Sequence, residues 1–322
     1  MKRTILAGVI VALGLAGAQA QSYPSRPITI IVPFAAGGPT DVIGRALAEK
    51  MRATLGQPVL IENVTGAGGS IGVGRAARAA PDGYTISLGH TGTHVVNGAI
   101  YPLKFDLLAD LEPLALIATN PMLVVTKKDL AAKNLGELIA MLKANPGQVA
   151  AGTAGVGSAS HLAAVYFQSV SGTKLNFVPY RGTGPAMQDL VAGQIDMIVD
   201  QTSNSINQVK AGSIKAYVVS DDKRLAGAPD VPTSAEAGLP GFQVAVWNGF
   251  WLPKGTPKDV TAKLSAAVMD ALGDATVRKR LADLGLEIPA VAQQTPEALG
   301  KYHKAEIAKW WPIIKAANIR PE

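Results

Sequence analysis

Ile28-Thr29-Ile30-Ile31-Val32-Pro33-Phe34-Ala35-Ala36-Gly37-Gly38-Pro39-Thr40-Asp41 joins a β-branched run, a glycine bend and a helix start without a break. β-branched residues pack well in a pleated, buried strand. Pro39, Thr40 and Asp41 suit the first turn of a helix, and Ile43, Leu47, Met51 and Leu55 then recur on one helical face. Gly56-Gln57-Pro58 stops that helix, and Val59-Leu60-Ile61 starts the next strand. The unit is strand, bend, helix, strand.

The same unit repeats outward from there. Tyr84–Leu88, Leu123–Thr126, Val149–Thr153, Ile195–Val199 and Ile214–Ser220 read as strands. Leu135–Leu142, Ala159–Val170 and a segment from Pro185 to Gly193 read as helices between them. Alternation of this kind predicts an α/β fold, a mostly parallel sheet with helices on both faces. After Thr256 the pattern turns helical, with Val260–Leu272, Ala275–Leu284 and Pro296–Ala316. Pro121–Thr126 and Val244–Leu252 are extended, apolar and proline-flanked, which suits a pair of strands crossing between two domains.

Bulk properties narrow the function. The chain has 322 residues, a net charge of +6 and no cysteine. That length fits two domains of about 150 residues each. Lys2-Arg3, the apolar run Ile5–Ala16 and Ala18-Gln19-Ala20 form a cleavable export signal over residues 1–20. No later stretch is apolar for long enough to span a bilayer. Thiol catalysis and thiolate metal sites are excluded. A mild positive charge attracts anions, but the chain has no basic cluster interleaved with aromatics, so nucleic acid is not an expected partner. His90-Thr91-Gly92-Thr93-His94 places two imidazoles at i, i+4, yet lacks a third ligand for a metal.

Three loops share the design strand, glycine bend, helix head. Free amide groups and the helix dipole make such a bend an anion site, and glycine lets a ligand approach the backbone. In the first loop Phe34 offers a flat surface, while Gly37, Gly38 and Thr40 offer hydrogen bonds; Asp41 reads as a helix cap. The second is Gly66-Ala67-Gly68-Gly69-Ser70-Ile71-Gly72, and the third runs from Gly152 to His161 with Gly155, Ser158 and His161 at its helix head. For His161, ligand donor and local cap stand level. Arg181 either clamps a carboxylate or makes a surface ion pair.

Two enzyme motifs compete. Gly68-Gly69-Ser70-Ile71-Gly72 matches G-x-S-x-G, but the nucleophile elbow needs its serine at a strand-to-helix turn, and the nearest strand ends well upstream. Gly72-Val73-Gly74-Arg75-Ala76-Ala77 matches a dinucleotide fingerprint without a preceding strand, and Asn97 stands where an acidic ribose partner belongs. No cofactor is expected.

Taken together, these loops resemble the substrate-binding receptors of the tripartite tricarboxylate transporters, the Bug family. The carriers are Pro33–Asp41, Glu62-Asn63 with Gly66–Gly72, Pro81-Asp82-Gly83-Tyr84-Thr85, Gly155–His161, Val178–Gly182, Gly193-Gln194-Ile195-Asp196 and Pro232–Gly238. The resemblance implies a two-lobed Venus-flytrap periplasmic binding protein of the type II-like class, its lobes joined by two crossover strands. Lobe 1 is then 21–120 plus 250–322, and lobe 2 is 121–249. It implies a non-catalytic, monomeric receptor that captures a di-, tri- or aromatic carboxylate and delivers it to separate membrane permease subunits. It also implies ligand contacts from Phe34, Ala36, Gly37, Gly38 and Thr40, from Gly68, Gly69 and Ser70, and from Gly155, Ser158 and His161. Thr91, Thr93, Asp200 and Thr202 lie where the family lines its cleft. A ligand sensor serving a signalling partner, and a secreted serine hydrolase using Ser70, remain as alternatives.

Overall fold

The computed structural model describes residues 23–316, so the export signal over residues 1–20 lies outside the described residues. The chain opens with strand β1 (Ile28–Val32), helix α1 (Pro39–Leu55) and strand β2 (Val59–Asn63). Pro39 sits at the first position of α1, where its missing N–H costs nothing. Gly56 ends the helix in the left-handed conformation and donates its N–H to the Arg52 carbonyl. Ile43, Leu47, Met51 and Leu55 are all buried, as the periodicity predicts.

Helix α2 (Ser70–Ala77) and strand β3 (Thr85–His90) follow. A π-helical turn over Gly92–Val96 then runs into the short helix α3 (Asn97–Ile100). β4 (Leu111–Lys127), α4 (Leu135–Ala144), β5 (Ala150–Thr153), α5 (Ala159–Ser171) and β6 (Asn176–Pro179) continue the alternation. So do α6 (Thr183–Val191), β7 (Met197–Gln201), α7 (Thr202–Lys210) and β8 (Ile214–Val219). β9 (Ala245–Pro253) leads into α8 (Lys258–Gly273), α9 (Ala275–Asp283) and α10 (Pro296–Ala316).

The strands order as β2-β1-β3-β9-β4-β7-β5-β6, with β8 paired to β4. β1 is parallel to β2 and β3, and β5 is parallel to β6 and β7. Between these two parallel groups stand β9 and β4, antiparallel to each other from Leu111↔Pro253 to Pro121↔Ala245. The crossing pair is therefore real, but its register differs from the sequence expectation. β9 pairs with residues 111–121 of β4, whereas Met122–Thr126 pairs with β7 and Leu123–Lys127 with β8. Pro113 and two register shifts interrupt the first half of β4, which hid its strand character from a reading by alternation.

Helices cover both sides of each group. Ile30, Val32, Leu47 and Leu264 belong to one buried cluster that continues to Ile198 and Ile206. A second cluster packs Leu138, Ala163 and Phe167 against Met122, Val124 and Val199. A third is aromatic, with Trp247 and Trp251 of β9 under Leu299 and Ile307 of α10. That helix is tied down by polar bonds as well. Trp311 donates to the Val95 carbonyl at 2.8 Å, and the Trp247 and Trp310 indoles both donate to Glu306 at 3.1 Å. Trp247 and Phe250 are thus core residues, as buried aromatic area favours.

Candidate functional site

The bends after β1, β2, β3, β5, β6 and β7 converge on the seam between the two strand groups. α1, α2, α6 and α7 each begin there without a side-chain cap, so their first amides have no side-chain acceptor. α5 is capped instead, with Ser158 accepting from the His161 amide. Across the seam the backbone itself makes contact. The Ala35 N–H donates to the Arg181 carbonyl at 2.9 Å, and the Tyr101 hydroxyl donates to the Val156 carbonyl at 2.8 Å. Glycine is required where these bends touch. A Cβ on Gly68 would lie 2.3 Å from the Val156 oxygen, and one on Gly184 would lie 2.8 Å from the Gly38 nitrogen.

Between the bends lies a narrow cleft with about 10 Å³ of free volume. Phe34, Pro39, Thr40 and His90 form one wall; Ala154, Ser158–Ser160, Thr183 and Gln201 form the other. No lysine or arginine lines it. The free volume is room for about one water, so a larger guest enters only where the two walls part. Phe34 stacks on His90 with ring centres 5.2 Å apart. Burial pushes the His90 imidazole down to about 4, so at neutral pH the ring carries no charge.

Three of the sequence-derived site residues, Phe34, Thr40 and Ser158, line this cavity. Gly38 caps α1 beside Gly184, while Ala36 and Gly37 are exposed. The Gly37 amide donates to Asp41 at 3.0 Å. Asp41 also accepts from Arg45 and Asn63, and although burial opposes it, these bonds hold its carboxyl below the usual range. Asp41 thus fastens the bend that precedes the helix rather than capping the helix amides.

Gly68 and Gly69 adopt φ of 56° and 95°, and Gly69 packs close to Phe34 and Thr93. Ser70 opens α2, and its buried hydroxyl has no hydrogen-bond partner among the described residues. No imidazole therefore reaches Ser70, which a serine nucleophile needs. Thr91 accepts from the Trp247 amide at 3.3 Å. Thr93 is turned inward, accepting from the His90 amide and touching His94 Nδ1 at 2.9 Å. Gly155 lies against Gly68 across the seam.

His161 is buried one turn into α5; its Nδ1 faces the Gly157 amide at 3.5 Å and its ring meets Phe177 edge-on. The Arg181 side chain is exposed, and the part of that residue at the seam is its carbonyl. Asp200 is fully buried, which raises its carboxyl to about 6 even though Asn204 and Ser205 donate to it. Thr202 donates to Asn120 on β4 and to the Gly285 carbonyl. The sequence reading set Gln201 within the cleft-lining stretch 200–202 and weighed His90 only as a metal ligand, while Ser160 and Thr183 were not singled out. Each follows the same grammar, a polar residue at a strand end or helix head, and that grammar would have found them. His90 stacks on Phe34 and His94 on Trp251, and among the described residues no group of three metal-binding side chains occurs.

Two α/β strand groups joined by a crossing pair, with a cleft at the strand ends, define a two-lobed periplasmic binding protein. The structure is similar to that of the periplasmic binding protein BugD, with a TM-score of 0.89 and 40% identity, covering 93% of this chain and 100% of that one. It is also similar to MatC from Rhodopseudomonas palustris with bound malate, with a TM-score of 0.86 and 41% identity over 91% of this chain and all of that one. An Agrobacterium vitis relative, the UPF0065 protein in the TAR-I ttuE-ttuC' intergenic region, is 45% identical over 94% of this chain and 87% of its own length. Residues 43–319 match the family model for the tripartite tricarboxylate transporter family receptor, and the chain belongs to that family. It is a solute-binding receptor of the Bug type. No helix among the described residues is long and apolar enough to cross a membrane.

Proposed function

We propose that this chain is exported by its N-terminal signal, captures a small carboxylate in the seam and delivers it to separate membrane permease subunits. The lobes that close are 21–120 plus 250–322 and 121–249, with β4 and β9 as the hinge. One observation carries the reading: α1, α6 and α7 bring heads without side-chain caps to one narrow cleft, with Thr40, Thr183 and Gln201 in its walls. Amides at helix heads favour a negative group, and a bound carboxylate accepts from several at once. The malate in MatC is a carboxylate held by a relative of the same architecture.

Closure follows from differential binding. A ligand held by both walls stabilises the closed form only by its extra affinity for that form, and about 5.5 kcal/mol moves the balance from 1:99 to 99:1. The permease then distinguishes closed from open receptors by shape. The test is calorimetric titration and thermal denaturation of the mature chain against a panel of dicarboxylic, tricarboxylic and aromatic acids. At one hundred times Kd, the bound acid is expected to add about 2.7 kcal/mol of stability. A chain unmoved by every acid but able to hydrolyse an ester or amide would sink the proposal.

A further inference from the structure

Asn248 lies in the middle of β9, is 0% exposed, and has neither its amide nitrogen nor its amide oxygen hydrogen-bonded within the described residues. A buried primary amide without partners is costly, on the order of 1–3 kcal/mol for each group. Native proteins rarely keep one without a use. Its place in the sheet supplies the use. In the β3–β9 ladder Asn248 stands directly opposite His90, and opposed residues share a face. His90 lines the cavity.

On its other side Asn248 is opposite Ala118 of β4, and Asn120, two residues further along, is its diagonal neighbour on that face. Asn120 in turn donates to Gln201 at 3.3 Å, and Gln201 also lines the cavity. His90, Asn248, Asn120 and Gln201 therefore form a polar row across four adjacent strands. Both ends of the row face the cleft. Asn120 has its partners in Gln201, Thr202 and Ser203; Asn248 alone of the row is left with a free donor and a free acceptor among the described residues.

We infer that Asn248 reads a hydroxyl on the ligand, so that the cleft selects a hydroxy-carboxylate over the same acid without the hydroxyl. This rests on the carboxylate reading of the preceding section. A hydroxyl gives and accepts from one atom, which matches an amide offering both. A second carboxylate only accepts, and would leave the Asn248 oxygen unpaired; an ammonium only donates, and would leave the nitrogen unpaired. Burial keeps His90 neutral, and the absence of lysine or arginine from the lining leaves this end of the cleft without positive charge. Sites built to bond a hydroxyl discriminate strongly against its absence, because the site's own polar groups are then stranded.

Calorimetric titration of the mature chain with matched pairs tests this: malate against succinate, citrate against tricarballylate, and 4-hydroxybenzoate against benzoate. In the pair that binds, the hydroxy acid should be at least about tenfold tighter. Asn248→Ala should bring that ratio to within about twofold, with the loss falling mainly on the hydroxy acid. Asn248→Ser, which keeps a donor and acceptor, should retain part of the preference and guards against a variant that does not fold. Equal affinity of wild type for both members of a bound pair overturns the inference and leaves the carboxylate reading standing. Loss of both affinities in equal proportion in Asn248→Ser also overturns it, because that is the mark of a structural role. Binding of no acid in any pair overturns the carboxylate reading itself.

Discussion

Gly184→Ala separates folding from closure. Gly184 is the second residue of α6 and lies outside the left-handed backbone region, so alanine there introduces no backbone strain. In a helix interior alanine is favoured over glycine by about 1 kcal/mol, an upper bound so near the helix start. Yet the added Cβ would stand 2.8 Å from the Gly38 nitrogen, 2.9 Å from the Ala36 oxygen and 3.0 Å from the Gly37 carbonyl carbon. All three are backbone atoms of the facing bend, so no flexible side chain can yield. The seam must part by several tenths of an ångström. The neighbouring Ala35–Arg181 backbone bond of 2.9 Å then weakens. Overpacking of this kind costs about 1–3 kcal/mol and a lost hydrogen bond about 1 kcal/mol. A net loss of about 2–3 kcal/mol in the closed form corresponds to roughly 30- to 150-fold weaker ligand binding. Titration with the acid selected from the panel measures that loss, and thermal denaturation of the unliganded protein should show an unchanged or raised midpoint. Small-angle scattering with saturating ligand should find the variant more extended than wild type. Wild-type affinity together with wild-type compaction would refute the closure argument.

Ser70→Ala removes a buried hydroxyl that has no partner among the described residues, so unliganded stability should change by less than about 1 kcal/mol while ligand affinity falls about tenfold; a large loss of stability with intact binding contradicts its place in the site. His90 sits at about 4 against an ordinary 6.5, so the unfolded chain binds more protons between those values; the stabilisation is complete above pH 6.5 and lost as pH falls toward 4, by about 3 kcal/mol from this residue. Burial lowers His94 and His303 in the same direction, so denaturation midpoints should rise steadily from pH 4 to 6.5, and a flat profile would contradict it. Asp200 has the opposite sign, because its folded value of about 6 lies above the ordinary 3.8. Its contribution is greatest at low pH and disappears as pH rises through 6, so Asp200→Asn should gain about 3 kcal/mol relative to wild type between pH 4 and 8 in chemical denaturation.

Much of the fold was legible because it is written locally. Pro39, the buried stripe from Ile43 to Leu55 and the Gly56 stop lie within one helix, and each acts over a few residues. The strand–bend–helix grammar placed Phe34, Thr40 and Ser158 at helix heads by the same short-range logic, and they line the cavity. Family motifs spread from Pro33 to Gly238 then joined those local readings into one architecture.

Pairing across the seam had no such local signature. That β9 lies on residues 111–121 of β4 depends on register between segments more than a hundred residues apart, interrupted by Pro113 and two shifts. The tie of Thr202 to Asn120 and the position of Asn248 opposite His90 are products of that register. Local propensity decided which residues form strands and helices. Long-range packing decided which of their polar groups were bonded inside the protein and which were left without a partner among the described residues, since satisfaction of a hydrogen bond is a property of two partners and only the assembled fold brings them together.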